Sequence, residues 1–259
     1  MANLRLKTLS EIKILREGGR RHAQILKELA EMVRPGVSTN ELNEYALKRI
    51  KDFGDVPAFL NYKPEGAKSP YPAALCVSVN DEIVHGIPNG KIKILNEGDI
   101  VSLDLGVRHE GLITDAAITV GVGKISHDDE MLISATERAL YAGIDRAVLG
   151  GRVGDIGNAI ENIAKRARFN NCEGLAGHGV GYAVHEDPYV PNTGNKGEGE
   201  LLKEGLVIAI EPMFTPGLGE ITLARDGFTY KTFDGKKSAH FEHTVAITKE
   251  GPVILTALD

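Results

Sequence analysis

The chain has 259 residues, 42% of them hydrophobic and 25% charged, with 30 basic against 36 acidic side chains and a formal net charge of −6. That length holds one large mixed α/β domain or two small ones, and the apolar content excludes a disordered chain. The acidic balance argues against a nucleic-acid surface, and no run reaches the roughly 18 apolar residues of a membrane span. Two cysteines far apart, Cys76 and Cys172, exclude a disulfide scaffold and fit a reducing compartment. The N-terminal MANLRLKTLSEIKILREGGRR is charged throughout and has no apolar leader core, so the expected location is cytoplasmic, away from membranes.

In chain order, Ile12 to Val33 carries Ile12, Leu15, Ile25, Leu26, Leu29 and Val33 at mostly helical spacing, which predicts a first helix stopped by Pro35-Gly36. Ser38 followed by Glu41 is a capping box, opening a second helix to about Phe53 before Gly54. Ala74–Val79, Ile100–Leu105 and Leu112–Val122 read as strands. Ser126 with Asp129 opens a third helix to about Leu149, and a fourth covers about Asp155 to Arg168. Leu206–Met213, His240–Thr248 and Val253–Leu255 read as further strands. Two helices, strands, two helices, strands: the order implies two similar α/β halves. A faint repeat agrees, because Glu97-Gly98 leads through a strand to Asp104 as Glu204-Gly205 leads to Glu211. Likewise Val84-His85-x-x-Pro88 parallels Val184-His185-x-x-Pro188.

The chemistry is concentrated in polar residues set within apolar strands. In Asp104-Leu-Gly-Val-Arg-His-Glu-Gly-Leu-Ile-Thr-Asp115 two strands flank a polar hairpin. A turn centred on His109 and Glu110 would oppose the two aspartates across the strand pair, with Cβ atoms roughly 4.5–5.5 Å apart. Such a pair needs a cation, a shared proton or solvent; an isolated pair of this kind more often just faces water. Gly177-His178-Gly179 leaves an imidazole unobstructed in a bend of the chain, and His185 follows seven residues on. Glu211 in Ile-Glu-Pro-Met and Glu242 in Phe-Glu-His-Thr each place a carboxylate in an apolar strand, where it is costly unless paired, coordinated or at a wet edge. Taken together, four carboxylates carry −4 and two divalent ions carry +4, so the residues make sense as one neutral cage for a metal pair.

The segments Val77–Pro88 (VSVNDEIVHGIP), SLDLGV with TDAA, GHGVGYAVHEDPYVPN, AIEPMF and FEHTVAIT, in that order, resemble the type I methionine aminopeptidases over essentially the whole chain. The resemblance implies an α/β (α+β) pita-bread fold, two pseudo-symmetric halves around a central, mainly antiparallel sheet, as one catalytic domain spanning residues 1–259. It implies Asp104, Asp115, His178, Glu211 and Glu242 as ligands of two divalent ions (Co, Mn, Fe or Zn), with Asp115 and Glu242 bridging and Glu211 as proton shuttle. His85 and His185 would contact the substrate and the developing oxyanion. The implied reaction is removal of the N-terminal methionine from nascent proteins, by attack of a metal-bridging hydroxide on the first peptide bond. The side chain would lie in a pocket of Phe59, Tyr62, Tyr71, Cys76, Val184 and Phe228. Phe228 stands where the family commonly has tryptophan and Val184 where it has phenylalanine, and the loop Lys63–Pro70 looks longer. Only 30 residues separate Glu211 from Glu242, too few for the helical insertion of the type II enzymes. No extended zinc-binding or basic region is expected ahead of the first helix, and so no dedicated ribosome-docking extension. The implied partners are nascent N-terminal peptides and, transiently, the ribosome, for a monomer with no specific nucleic acid. The rivals are a proline-directed peptidase of the same fold, which usually carries a large N-terminal domain, and a metal-free binding protein, which typically loses ligands.

Overall fold

Two reciprocal capping boxes start the chain's helices. In the computed structural model, which describes residues 3–63 and 68–258, Thr8 and Glu11 cap α1 (Leu9–Met32), and Ser38 and Glu41 cap α2 (Thr39–Asp52). The first cap moves the start of α1 to Leu9, ahead of the expected Ile12. Of the loop over Lys63–Pro70, residues 64–67 lie outside the described residues. The short strand β1 (Val56–Pro57) leads to β2 (Leu75–Val79), β3 (Glu82–Val84) and the long hairpin of β4 (Ile100–His109) and β5 (Leu112–Gly121). Next come α3 (His127–Ile144) and α4 (Val153–Ala167), then β6 (Asn170–Asn171), β7 (Gly177–Gly179), β8 (Glu186–Val190) and β9 (Val207–Ile210). The chain closes through β10 (Met213–Thr215), β11 (Ile221–Leu223), β12 (Tyr230–Thr232), β13 (Ala239–His240), β14 (His243–Thr248) and β15 (Gly251–Ile254).

Each helix pair covers its own sheet. Ile25, Leu29, Leu42 and Ile50 of α1 and α2 pack on Leu75, Val101, Leu103 and Leu105 of β2 and β4. Leu132, Leu140, Ile156 and Ile160 of α3 and α4 pack on Ile208, Val245 and Ile247 of β9 and β14. In the first half β4 is flanked by β1, β2 and β5; in the second the order is β15-β14-β9-β7-β8, and the pairings are antiparallel. This is the two-halved α/β architecture of the pita-bread fold.

The halves are joined along a seam of backbone bonds. Ala117 of β5 and Glu242 exchange both main-chain bonds, at 3.3 and 2.9 Å. The Thr244 hydroxyl donates to the Asp115 carbonyl at 2.7 Å and accepts from the Asp115 amide at 2.8 Å. The Thr119 hydroxyl does the same for His240, with both bonds at 2.8 Å.

Several expectations change here. The β4–β5 turn centres on Glu110 and Gly111, with φ of 45° and 87°, because Gly111 takes the left-handed conformation that such a tight turn demands. Asp104 therefore opposes Ala117 and Asp115 opposes Gly106; the aspartates are diagonal neighbours instead of a direct pair. His109 belongs to β4, its Nδ1 2.7 Å from Asp55 Oδ1. The expected strand Leu206–Met213 is broken between β9 and β10, since Pro212 has no amide for the ladder. His240–Thr248 is likewise interrupted at Phe241-Glu242, where the chain crosses to the seam. α3 ends at Ile144 instead of running to Leu149; Arg146 and Ala147 bond three residues back as the chain tightens.

α1 is also clamped to the C-terminal segment: Arg16 Nη1 donates to the carbonyls of Ile254, Leu255 and Ala257 at 3.0–3.2 Å. Gly19 makes this approach possible, because a Cβ there would lie 2.1 Å from the Leu255 carbonyl oxygen. Alanine for glycine inside a helix normally stabilises by about 1 kcal/mol. Gly19→Ala should instead cost about 1–3 kcal/mol through overpacking and lower the thermal midpoint by several degrees. An unchanged or raised midpoint would show that this contact yields.

Candidate active site

Four buried carboxylates meet where the seam closes. Asp104 and Asp115 come from β4 and β5, Glu211 from the break after β9, and Glu242 from the crossing before β14. They are 6%, 3%, 8% and 2% exposed. Three of their oxygens, Asp104 Oδ1, Asp115 Oδ1 and Glu242 Oε1, are buried with no hydrogen-bond partner among the described residues. Burial pushes Asp104 up to about 7 and Glu211 up to about 8. Asp115 and Glu242 are driven well above the usual carboxylate range, by burial first and by neighbouring carboxylates second. Such a cluster needs protons or cations.

The imidazoles supply the nitrogen donors. His178 Nδ1 lies 2.9 Å from the Gly179 carbonyl, which places the ring hydrogen there and leaves the Nε2 lone pair facing the acids. Nε2 is 3.3 Å from Glu211 Oε1 and 4.0 Å from Asp115 Oδ2. Burial lowers this ring to about 3, so it is neutral and can act as a ligand. The flanking glycines do not serve a bend, as the sequence implied; β7 is a strand. A Cβ at Gly177 would meet the Ala209 carbonyl oxygen at 2.2 Å, and one at Gly179 would meet the Asp187 carbonyl oxygen at 2.1 Å.

Two groups have donor atoms within 4.8 Å of one another: Asp115, His178 and Glu242, and Glu211, His240 and Glu242. Glu242 is common to both, while Asp104 lines the same cavity outside either group. Carboxylate oxygens with an occasional imidazole suit Mn, Fe, Co or Zn, and the orphaned oxygens fit cation binding.

Every site residue singled out in the sequence lines one cavity of about 240 Å³. Phe59, Tyr71, Cys76 and Val184 are buried in its wall, with Tyr62 and Phe228 partly buried beside them. Tyr71 and Phe228 meet edge to face at 5.5 Å between ring centroids. His85 is held in the left-handed conformation at φ 59°, a local cost typical of functional positions, and burial lowers its ring to about 4. His185 stands exposed at the mouth, its Nδ1 2.9 Å from the Tyr62 hydroxyl and its ring edge-on to His178 at 4.5 Å. Its loop is tied down by Glu186, which accepts from the Tyr182 and Ala183 amides and from Lys7 Nζ at 2.7 Å. Leu175, Tyr189 and Met213 add apolar wall; the last two lie within the quoted motifs but were not singled out there. His240 was also missed; its signal was position, two residues before Glu242.

The profile of metallopeptidase family M24 matches residues 13–249. The chain is 48% identical over 252 residues to a methionine aminopeptidase of Aquifex aeolicus, covering 96% of each sequence. It superposes on the crystal structure of a methionine aminopeptidase from Thermotoga maritima with a TM-score of 0.93 at 38% identity, covering 98% and 99% of the two chains. A prolidase from Pyrococcus furiosus shares the fold at 21% identity and a TM-score of 0.75, with 66% of that chain covered.

Without divalent ions, the raised carboxylates stabilise the folded state only while protonated. This contribution is fully present below the ordinary carboxylate values of about 4 and is lost as pH rises through about 7 and 8. Added Mn or Co should raise the thermal midpoint most at pH 8. A midpoint in chelator that climbs from pH 5 to 8 would contradict the cluster.

Proposed function

The chain belongs to metallopeptidase family M24, among the methionine aminopeptidases, and on that premise we propose that its cavity removes the N-terminal methionine from nascent proteins with Asp104, Asp115, His178, Glu211 and Glu242 holding two divalent ions. What carries this reading is one cavity that joins an acidic, imidazole-bearing floor to an aromatic and aliphatic wall. When bound, the ions supply Lewis-acid polarisation of the scissile carbonyl and a water-derived nucleophile at neutral pH.

The chain's own residues do the rest. Phe59, Tyr62, Tyr71, Cys76, Val184 and Phe228 take the methionine side chain, whose polarisable sulfur favours aromatic edges. The free α-amino group lies beside Asp104, which restricts cleavage to the first residue. His85, kept neutral by burial, donates to the substrate backbone without bringing a charge. His185 is oriented by Tyr62 through Nδ1, leaving Nε2 for the oxyanion that develops on the carbonyl. Glu211 would take the proton that the attacking water gives up and pass it to the leaving amine.

The same proposal covers the finer points: Co, Mn, Fe or Zn as the ions that these five residues would hold, and one monomeric catalytic domain spanning residues 1–259. It works in the cytoplasm and meets its substrates during transient association with the ribosome. Among the described residues no helix is long and apolar enough to cross a membrane, and both cysteines are free and buried.

Cleavage of Met-Gly-Met-Met and Ala-Pro-Ala, with and without Mn or Co and with a chelator, tests the reading. Methionine should be released from the first peptide only, in a metal-dependent manner. Glu211→Ala and Asp104→Ala should each abolish release while far-UV circular dichroism stays unchanged. Cleavage of Ala-Pro-Ala would move the chain to the proline-directed peptidases, and an active Glu211→Ala protein would remove Glu211 from the site.

A further inference from the structure

His240 is 1% exposed, and neither ring nitrogen has a hydrogen-bond partner among the described residues. An unpaired buried polar group of this kind is costly, so its surroundings matter. The backbone leaves it little freedom: its amide and carbonyl are both held by the Thr119 hydroxyl at 2.8 Å, and it registers with Met213 across β13 and β10. The ring is thereby directed at the acids, with Nε2 3.5 Å from Glu211 Oε2 and 3.9 Å from Glu242 Oε2. Glu211 is bracketed, with His178 on Oε1 at 3.3 Å and His240 on Oε2. Its main-chain carbonyl is fixed as well, by Asn192 Nδ2 at 2.9 Å.

Resting on the catalytic reading above, we infer that His240 is a positioning residue, whose Nε2–H donates to Glu211 Oε2 in the working enzyme and fixes which oxygen of that carboxylate faces the reaction. Among the described residues only Nε2 faces carboxylate oxygens, so the ring hydrogen belongs there. A closure of about 0.6 Å brings the pair to the usual N–H···O separation near 2.9 Å, and such bonds commonly tighten when a site is loaded. With Oε2 engaged, rotation of the carboxylate is restricted and Oε1 is the oxygen turned toward His178. Outer partners of metal-binding carboxylates typically contribute 10–100-fold to affinity or rate.

The test compares the full chain with His240→Ala and His240→Gln, whose amide is again a donor. In each protein kcat and KM are measured on Met-Gly-Met-Met at saturating Mn, and Mn dissociation constants by calorimetry on the chelator-treated protein. Far-UV circular dichroism checks folding. His240→Ala should lose about 10–100-fold in kcat, with KM within about threefold, and should bind Mn more weakly; His240→Gln should recover most of both. Wild-type values in His240→Ala, or a folded His240→Gln no better than alanine, would overturn the assignment. So would a second hyperfine-shifted exchangeable imidazole resonance in the cobalt-loaded protein that disappears in His240→Gln, because His240 would then be a ligand itself. If the wild-type chain released no methionine, the catalytic reading would fail, and Mn affinity would still decide for or against His240.

Discussion

Four carboxylates buried within one seam are the constraint from which the rest of the site follows. Each is less than one-tenth exposed, and burial together with mutual repulsion holds their affinity for protons high. Such a cluster opposes folding at neutral pH unless cations neutralise it. The backbone must therefore be held by interactions that do not depend on those charges. The Ala117–Glu242 exchange and the Thr244 and Thr119 hydroxyls provide them, as neutral hydrogen bonds crossing between the halves. The two helix-on-sheet cores supply apolar burial on either side of that seam.

That division explains why the glycines around the site are there. Gly177 and Gly179 let the strand carrying His178 run within van der Waals distance of neighbouring backbone carbonyls, where any side chain would collide. The imidazole is thus placed by strand packing, which positions a ligand more rigidly than a loop would. His185 is the contrast. It sits in the turn region between β7 and β8 and depends on Glu186, with buried Lys7 behind it, to hold that turn in place. The N-terminal segment consequently serves the site from a distance.

The cavity separates its tasks by polarity. Acids and imidazoles occupy the floor, where water-poor surroundings strengthen each electrostatic interaction, and aromatic and aliphatic side chains form the wall. Val184 and Phe228 both belong to that wall. His240, standing over Glu211, adds a nitrogen that the five-residue motif does not contain.

Periodicity and capping chemistry in the sequence determined the four helices, most of the longer strands and their two-halved order, because an apolar face and a reciprocal cap are local properties of the chain. The acids stood out in sequence for an equally local reason: a carboxylate inside a Val- and Ile-rich run is costly unless it is paired, coordinated or at a wet edge. Register was not legible. Whether the hairpin turned at His109-Glu110 or at Glu110-Gly111 depended on which residue could take a left-handed conformation, and that shift moved Asp104 from opposite Asp115 to opposite Ala117. Pro212 breaking one strand could have been foreseen; the break at Phe241-Glu242 could not, since it exists only because the chain crosses to meet β5. His240 was silent for the same reason. A histidine in a strand is ordinary until tertiary structure buries it 3.5 Å from a carboxylate 29 positions earlier in the chain, and only packing across the seam decides that distance.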